Sequence, residues 1–273
     1  MPENKTAKKN KDNKDSKLVI LYHRSYRKLP GSTRRFLFQF VFFALPLSLL
    51  TILFYPYITE QICILTKNVL TPYFYEGSLT IFSREYIEPI GPIYYIDLPE
   101  SFPTLIFSLF NAVLTIIGLI VLPRINNSLK PFFIFVTFML VVHLVSSLYF
   151  IVVPEHFPYT AADYSVLYML QEISIWFFVP IIMGLAILPL PAGVFLKIFT
   201  LVFIYVYSMV FGVVRYILFL LIISKVSMIY MGILFFALGP LIDFIYITGT
   251  YTLFVNYIAQ KTGDDFSVWR WQS

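Results

Sequence analysis

Apolar residues in this chain gather into six long runs, none holding more than one charged residue. Segments rich in polar residues, proline and glycine separate them. A helix rises about 1.5 Å per residue and membrane hydrocarbon is about 30 Å thick, so about 20 apolar residues make one crossing. The spans predicted on this basis are 36–58, 102–122, 131–153, 164–188 and 198–224, with a sixth over 226–258. Pro46 and Pro56 are expected as the kink and exit of the first. The sixth run exceeds one crossing, so part of it is expected along the outer interface before the chain descends.

Two segments between the first two spans carry a different pattern. Over 59–76 the apolar Ile62, Cys63, Leu65, Val69 and Leu70 alternate with Glu60, Gln61, Lys67 and Asn68, which reads as an interfacial amphipathic helix. Over 77–100, Leu79 and Ile81 are followed by the run Ile93-Tyr94-Tyr95-Ile96, with Glu88, Pro89, Gly91 and Pro92 between them. That pattern predicts a small extracytoplasmic β-hairpin or paired extended segments. The expected fold is an all-α integral membrane protein of about six transmembrane helices, with an outer interfacial helix and a β-like insert over 59–101.

Composition supports the membrane assignment, since 59% of the 273 residues are hydrophobic and 13% are charged. Charge then orients the chain. Eleven of the 20 Lys and Arg precede Leu37, and the positive-inside rule puts that end in the cytoplasm. The turns at 123–130 and 189–197 and the tail after residue 259 add Arg124, Lys130, Lys197, Lys261 and Arg270 to the same side. The opposite side receives Lys67 and Arg84 against Glu60, Glu76, Glu85, Glu88, Asp97, Glu100, Glu155 and Asp163. Both termini are therefore expected in the cytoplasm of a multi-pass cell-membrane protein. Three regions follow: a basic, partly disordered tail over 1–35, a membrane domain over 36–258, and a C-terminal tail over 259–273.

The first 17 residues mix Lys, Asn and Asp and cannot bury enough apolar surface to order themselves. They lack the form of a cleavable signal peptide, because the apolar run behind them is too long and has no small-residue cleavage site. The tail reads as a topology determinant able to meet anionic lipid, and no nucleic-acid partner is expected. The lipid bilayer is the evident partner, with another membrane protein or a sorted envelope protein as a further one.

Candidate chemistry lies among the few polar side chains inside the spans. Arg215 is the only charged residue between Ile198 and Ser224. A guanidinium keeps its proton, so in hydrocarbon it needs a carboxylate, carbonyl or water partner. It lies roughly 27 Å above Lys197 by helix rise, close to the outer edge, where an interfacial anchor would snorkel. Glu172, about 12 Å below the outer surface on the inward-running fourth span, lies at a depth that allows it to pair with Arg215 given the length of both side chains, beneath an outward-facing opening. Asp243 falls at mid-membrane or nearer the inner leaflet, depending on where the last helix begins. A structural bond to Tyr246 or a nearby backbone group competes there with a proton or substrate role. His143, in the middle of the third span, lacks a ligand partner at i±3 or i±4 and reads first as a hydrogen-bonded packing residue.

Cys63 is the only thiol, which excludes an internal disulfide and multi-cysteine zinc sites, and its neighbours favour a buried structural role over a nucleophile. P-loop, zincin and nucleophile-elbow motifs are absent, and no metal or cofactor is expected.

The stretch Phe211-Gly-Val-Val-Arg215-Tyr-Ile-Leu-Phe-Leu-Leu resembles the late arginine-bearing helix of the exosortase/archaeosortase family, polytopic transpeptidase-like enzymes that process sorting-signal proteins at the outer membrane face. In that family an Asn-x-x-Arg-like motif opens the helix, a catalytic cysteine lies one helix upstream and a histidine shortly downstream. Here Gly212 stands in place of the asparagine, the upstream helix offers Pro180-Ile-Ile-Met-Gly184 without cysteine, and no histidine follows Arg215. The N-terminal half, whose second span opens at Asp97-Leu-Pro-Glu-Ser-Phe-Pro, is similar to membrane proteins that accompany exosortases. The resemblance implies a non-enzymatic relative or partner supporting sorting or export of envelope proteins or polysaccharide. Two other readings stay open: a transporter or channel-like carrier using Arg215, Glu172, Asp243 and His143, and a divergent membrane transpeptidase or peptidase. A carrier requires the last three residues to share one cavity. A peptidase requires Cys63 near Arg215 and a base.

Overall fold

The structure, a computed structural model, describes residues 27–28, 32–124, 130–262 and 270–271. Among them are six helices long and apolar enough to cross a membrane, and the chain is a multi-pass membrane protein. We name them α1 (Thr33–Tyr73), α2 (Leu105–Val121), α3 (Lys130–Val152), α4 (Ala161–Ile187), α5 (Val194–Lys225) and α6 (Pro240–Thr262). Strands β2 (Thr80–Ile87) and β3 (Gly91–Asp97) form an antiparallel hairpin. Two short strands, β1 (Arg27–Lys28) and β4 (Arg270–Trp271), pair antiparallel, which brings a segment before α1 next to one after α6. The expected disorder of the first 17 residues lies outside the described residues.

Exposed Leu37, Phe38, Phe42, Leu49, Leu53, Ile106, Phe110, Ile134, Phe195 and Leu253 cover the outer surfaces of the helices. In water such a surface would drive aggregation, whereas lipid tails accept it. Because lipid is as apolar as leucine, the helices are held together by close packing and internal hydrogen bonds. Gly184 shows the packing: a Cβ there would stand 2.7 Å from the Ala44 methyl, so α1 and α4 touch nearly backbone to backbone.

The segment 59–73 is helical and continues the first span without a break, making α1 a helix of 41 residues. Pro56 sits inside this helix, not at its exit. Thr59 Oγ1 lies within hydrogen-bond distance of the Tyr55 and Pro56 carbonyls, at 2.8 and 3.1 Å, covering backbone next to the missing proline N–H. The alternation seen in the sequence is real, but its buried side, Thr59, Ile62, Cys63, Thr66 and Leu70, faces protein instead of lipid headgroups.

What it faces is the hairpin. Strand β3 is part of the core, with Ile93 and Ile96 buried, while β2 is exposed along most of its length. Tyr94 N–H donates to Thr59 Oγ1 at 3.2 Å, and Ile96 N–H donates to Ser165 Oγ at 3.0 Å. Tyr55 accepts from Ile87 N–H at 3.2 Å and donates to the Gly91 carbonyl. Gly91 has φ +136°, a conformation side chains disfavour, and a Cβ there would press on Pro56 at 3.3 Å. The glycine thus serves both the turn and the docking onto α1.

Helix α4 is the hub, packed against α1, α5, α6 and β3. Its N-terminus carries a Thr160–Asp163 capping box, and Ala161 N–H donates to Glu100 Oε1 at 2.8 Å. Helices α2 and α3 pair with each other, and α3 meets the rest through residues 228–239. Those residues do not form regular helix: a 3-10 turn at Met228–Tyr230, a π turn at Ile233–Ala237 and a break at Leu238–Gly239 precede α6. The long last run is therefore an irregular half followed by a regular one.

Candidate functional site

Arg215 projects from α5 toward this break, and it is 4% exposed. Nη1 donates to the Leu238 and Gly239 carbonyls, each at 2.9 Å. Nη2 donates to Glu172 Oε1 at 2.8 Å and to Asp243 Oδ1 at 2.6 Å. The guanidinium carbon also lies 4.9 Å from the Phe211 ring centroid, one helical turn away. An interfacial anchor would have its charge in water, so the snorkelling alternative for Arg215 is corrected: its four acceptors come from protein.

The break supplies half of these acceptors for a local reason. Gly239 and Pro240 interrupt the helix, and α6 restarts with proline at its first position, which lacks a donor. Ile242 and Asp243 N–H groups turn to the Gly239 carbonyl at 3.1 and 3.4 Å, leaving the Leu238 carbonyl free for Arg215. Asp243 stands in the first turn of α6, where the helix dipole favours a carboxylate. The Gly-Pro pair was the signal that could have placed Asp243 beside Arg215.

Glu172 is held as closely. It is 1% exposed, and Tyr168 and Trp176 flank its carboxylate. Across from it Gly212 leaves room: a Cβ there would overlap the Glu172 carboxylate and sit 3.1 Å from the Trp176 ring. Gly212 is thus the wall of the carboxylate's seat.

His143 lies elsewhere. Its Nε2 is 3.2 Å from Asn111 Oδ1, which also accepts from the Tyr230 hydroxyl at 3.1 Å, and its ring stacks on Tyr230 at 5.1 Å. This joins α2, α3 and the start of the irregular segment in an uncharged cluster. Arg215, Glu172 and Asp243 come together; His143 does not join them.

Cys63 is fully buried, with its thiol against the Tyr216 hydroxyl, next in sequence to Arg215. Tyr216 in turn shares a 2.6 Å hydrogen bond with Ser165. Among the described residues no histidine or carboxylate hydrogen-bonds the thiol, and no group of three or more His, Cys, Asp and Glu is arranged to hold a metal ion. Comparison of the chain with protein-family models, curated proteins and solved structures finds no match.

Proposed function

We propose that this chain is a non-enzymatic protein of the cytoplasmic membrane, similar to exosortase-system components, that supports sorting or export of envelope proteins or polysaccharide. Both ends lie in the cytoplasm in this reading, the basic tail rests on anionic lipid, and the acidic hairpin region faces outward. The observation that carries it is the asymmetric hairpin. Strand β3 is fastened into the core by side chains of α1, α4 and α5, while β2 stays exposed with Phe82 and Tyr86 on its surface. An exposed strand held rigidly by a core-mounted partner strand suits presentation to another molecule. The carrier reading draws on Arg215, Glu172 and Asp243 meeting at a broken helix, a place where transporters bind ions. The separate position of His143, outside the ionic cluster, favours the presenting role.

Two measurements test this. In a Cys63→Ala background, a cysteine replacing Tyr86 is expected to react with a membrane-impermeant maleimide in intact cells, and one replacing Lys261 only after permeabilisation. The reverse pattern overturns the orientation. Loss of the gene is expected to leave envelope proteins unsorted or surface polymer unexported, and restoration by a variant lacking residues 80–97 would sink the presenting role.

A further inference from the structure

The ion cluster does not balance. One guanidinium faces two carboxylates, an excess of one negative charge among groups that are 1% to 4% exposed. An uncompensated buried charge is costly, and the usual resolution is to bind a counter-charge or a proton.

A second observation points to which. Glu172 Oε2, Asp243 Oδ2 and Arg215 Nε are buried with no partner in good hydrogen-bond geometry, and so are Tyr164 Oη, Tyr168 Oη and Gln171 Nε2, although Tyr168 and Trp176 approach the Glu172 carboxylate and Tyr246 approaches that of Asp243. Most buried polar atoms in folded proteins are paired, so six in one neighbourhood mark a place made for something. Four of them follow helical spacing on α4, at 164, 168, 171 and 172, and so lie along one face. Tyr164 and Tyr168 stack at 6.0 Å, and both lie within electrostatic reach of Glu172 and Arg215. The line starts beside the hairpin, where Ser165 holds Ile96, and ends at the carboxylate about 12 Å deeper.

We propose that Glu172 and Asp243 share one exchangeable proton, carried on Glu172 Oε2 and reached from the hairpin end through water held by Tyr164, Tyr168 and Gln171. The step is a simple transfer: a hydronium O–H bond breaks in the solvent at the hairpin end, the proton passes along the water line, and an O–H bond forms on the Glu172 carboxyl with neutral water left behind; reversal returns the proton to solvent and restores the carboxylate. The groups facing Glu172 are Arg215 on α5, Asp243 and Tyr246 on α6, and Tyr164 and Tyr168 on α4. Arg215 Nη2 already occupies one oxygen of each carboxylate. That leaves two oxygens on opposite partners, which suits a proton better than a metal ion needing several oxygen ligands. This inference rests on the cluster and not on the sorting role, so either can fail alone.

Infrared spectroscopy of the purified full-length protein in lipid nanodiscs tests it. A protonated carboxyl band that shifts in D2O is expected at neutral pH. Because the proton answers a charge count, both Glu172→Gln and Asp243→Asn are expected to abolish the band, each leaving one carboxylate for Arg215. Tyr168→Phe removes only the hydroxyl that approaches the Glu172 carboxylate and keeps the ring, so it is expected to fold, keep the band and slow its exchange several-fold. Absence of the band in the unmutated protein overturns the proposal, as does its persistence in Asp243→Asn. A band that disappears when sodium is added would assign the site to a cation instead. Unchanged exchange in both Tyr168→Phe and Tyr164→Phe overturns the route.

Discussion

Two polar clusters bracket the irregular segment 228–239, and they are built on opposite terms. At its start Tyr230 joins His143 and Asn111 in a neutral set that ties α3 to α2. At its end the Leu238 and Gly239 carbonyls join Arg215, Glu172 and Asp243 in an ionic set that ties α6 to α4 and α5. In the neutral set His143 and Tyr230 each reach Asn111 through one hydrogen bond. The ionic set uses four acceptors for one guanidinium. In hydrocarbon a neutral polar group needs a partner, but a charge needs several, fixed in place. The difference says which end of the segment holds the fold and which only joins it.

Arg215→Ala breaks this comparison most severely. It strands two buried carboxyl groups and two carbonyls, and removing one partner of a buried ion pair costs about 3–5 kcal/mol. The expected outcome is protein that fails to accumulate in the membrane, or that unfolds in detergent far below the unmutated chain. Arg215→Lys is expected to rescue little, because an ammonium is a compact point and cannot span Leu238, Gly239, Glu172 and Asp243 from one position. Recovery of full stability with lysine would show that charge alone matters and that the fork geometry does not.

Gly212→Ala asks whether the seat matters as much as the ions. The added methyl would overlap the Glu172 carboxylate, and overpacking of this kind costs about 1–3 kcal/mol. Combining it with Glu172→Ala, which vacates the same space, is expected to cost clearly less than the sum of the two single losses in thermal unfolding in detergent. Strict additivity would mean that Gly212 serves helix packing and not the carboxylate. Gly249→Ala, where nothing lies within 4 Å of an added Cβ, is the control for alanine in a helix.

These residues differ in how far the sequence exposed them. The six spans were legible because a membrane helix is written as local composition, and the hairpin because Pro, Gly and β-branched or aromatic runs are local too. Arg215 and Glu172 could be matched by depth, since helix rise converts sequence position into height. Asp243 could not, because its height depends on a break whose carbonyls are used by a residue 24 positions away. Residues 59–76 read as meeting the lipid interface, but an amphipathic stripe carries no mark of whether lipid headgroup or strand β3 lies against it. The seat at Gly212 was hidden for the same reason: a glycine declares missing volume and never names what fills it.

The neutral cluster gives the finest test. Asn111 Oδ1 accepts from Tyr230 and, with Nε2 protonated, from His143, while its amide returns to the Phe107 carbonyl at 2.9 Å. Asn111→Leu keeps the branching of the side chain but leaves both donors unanswered, and interhelical hydrogen bonds in membranes are worth about 1 kcal/mol. His143→Phe preserves a ring against Tyr230 and removes the buried Nδ1 that has no partner, so its cost is expected to fall below that of Asn111→Leu. Measured by the denaturant midpoint in mixed micelles, the order Arg215→Ala, Gly212→Ala, Asn111→Leu, His143→Phe is the content of the comparison. If His143→Phe instead costs as much as Arg215→Ala, the start of the segment is fastened as tightly as its end, and the histidine does more than pack.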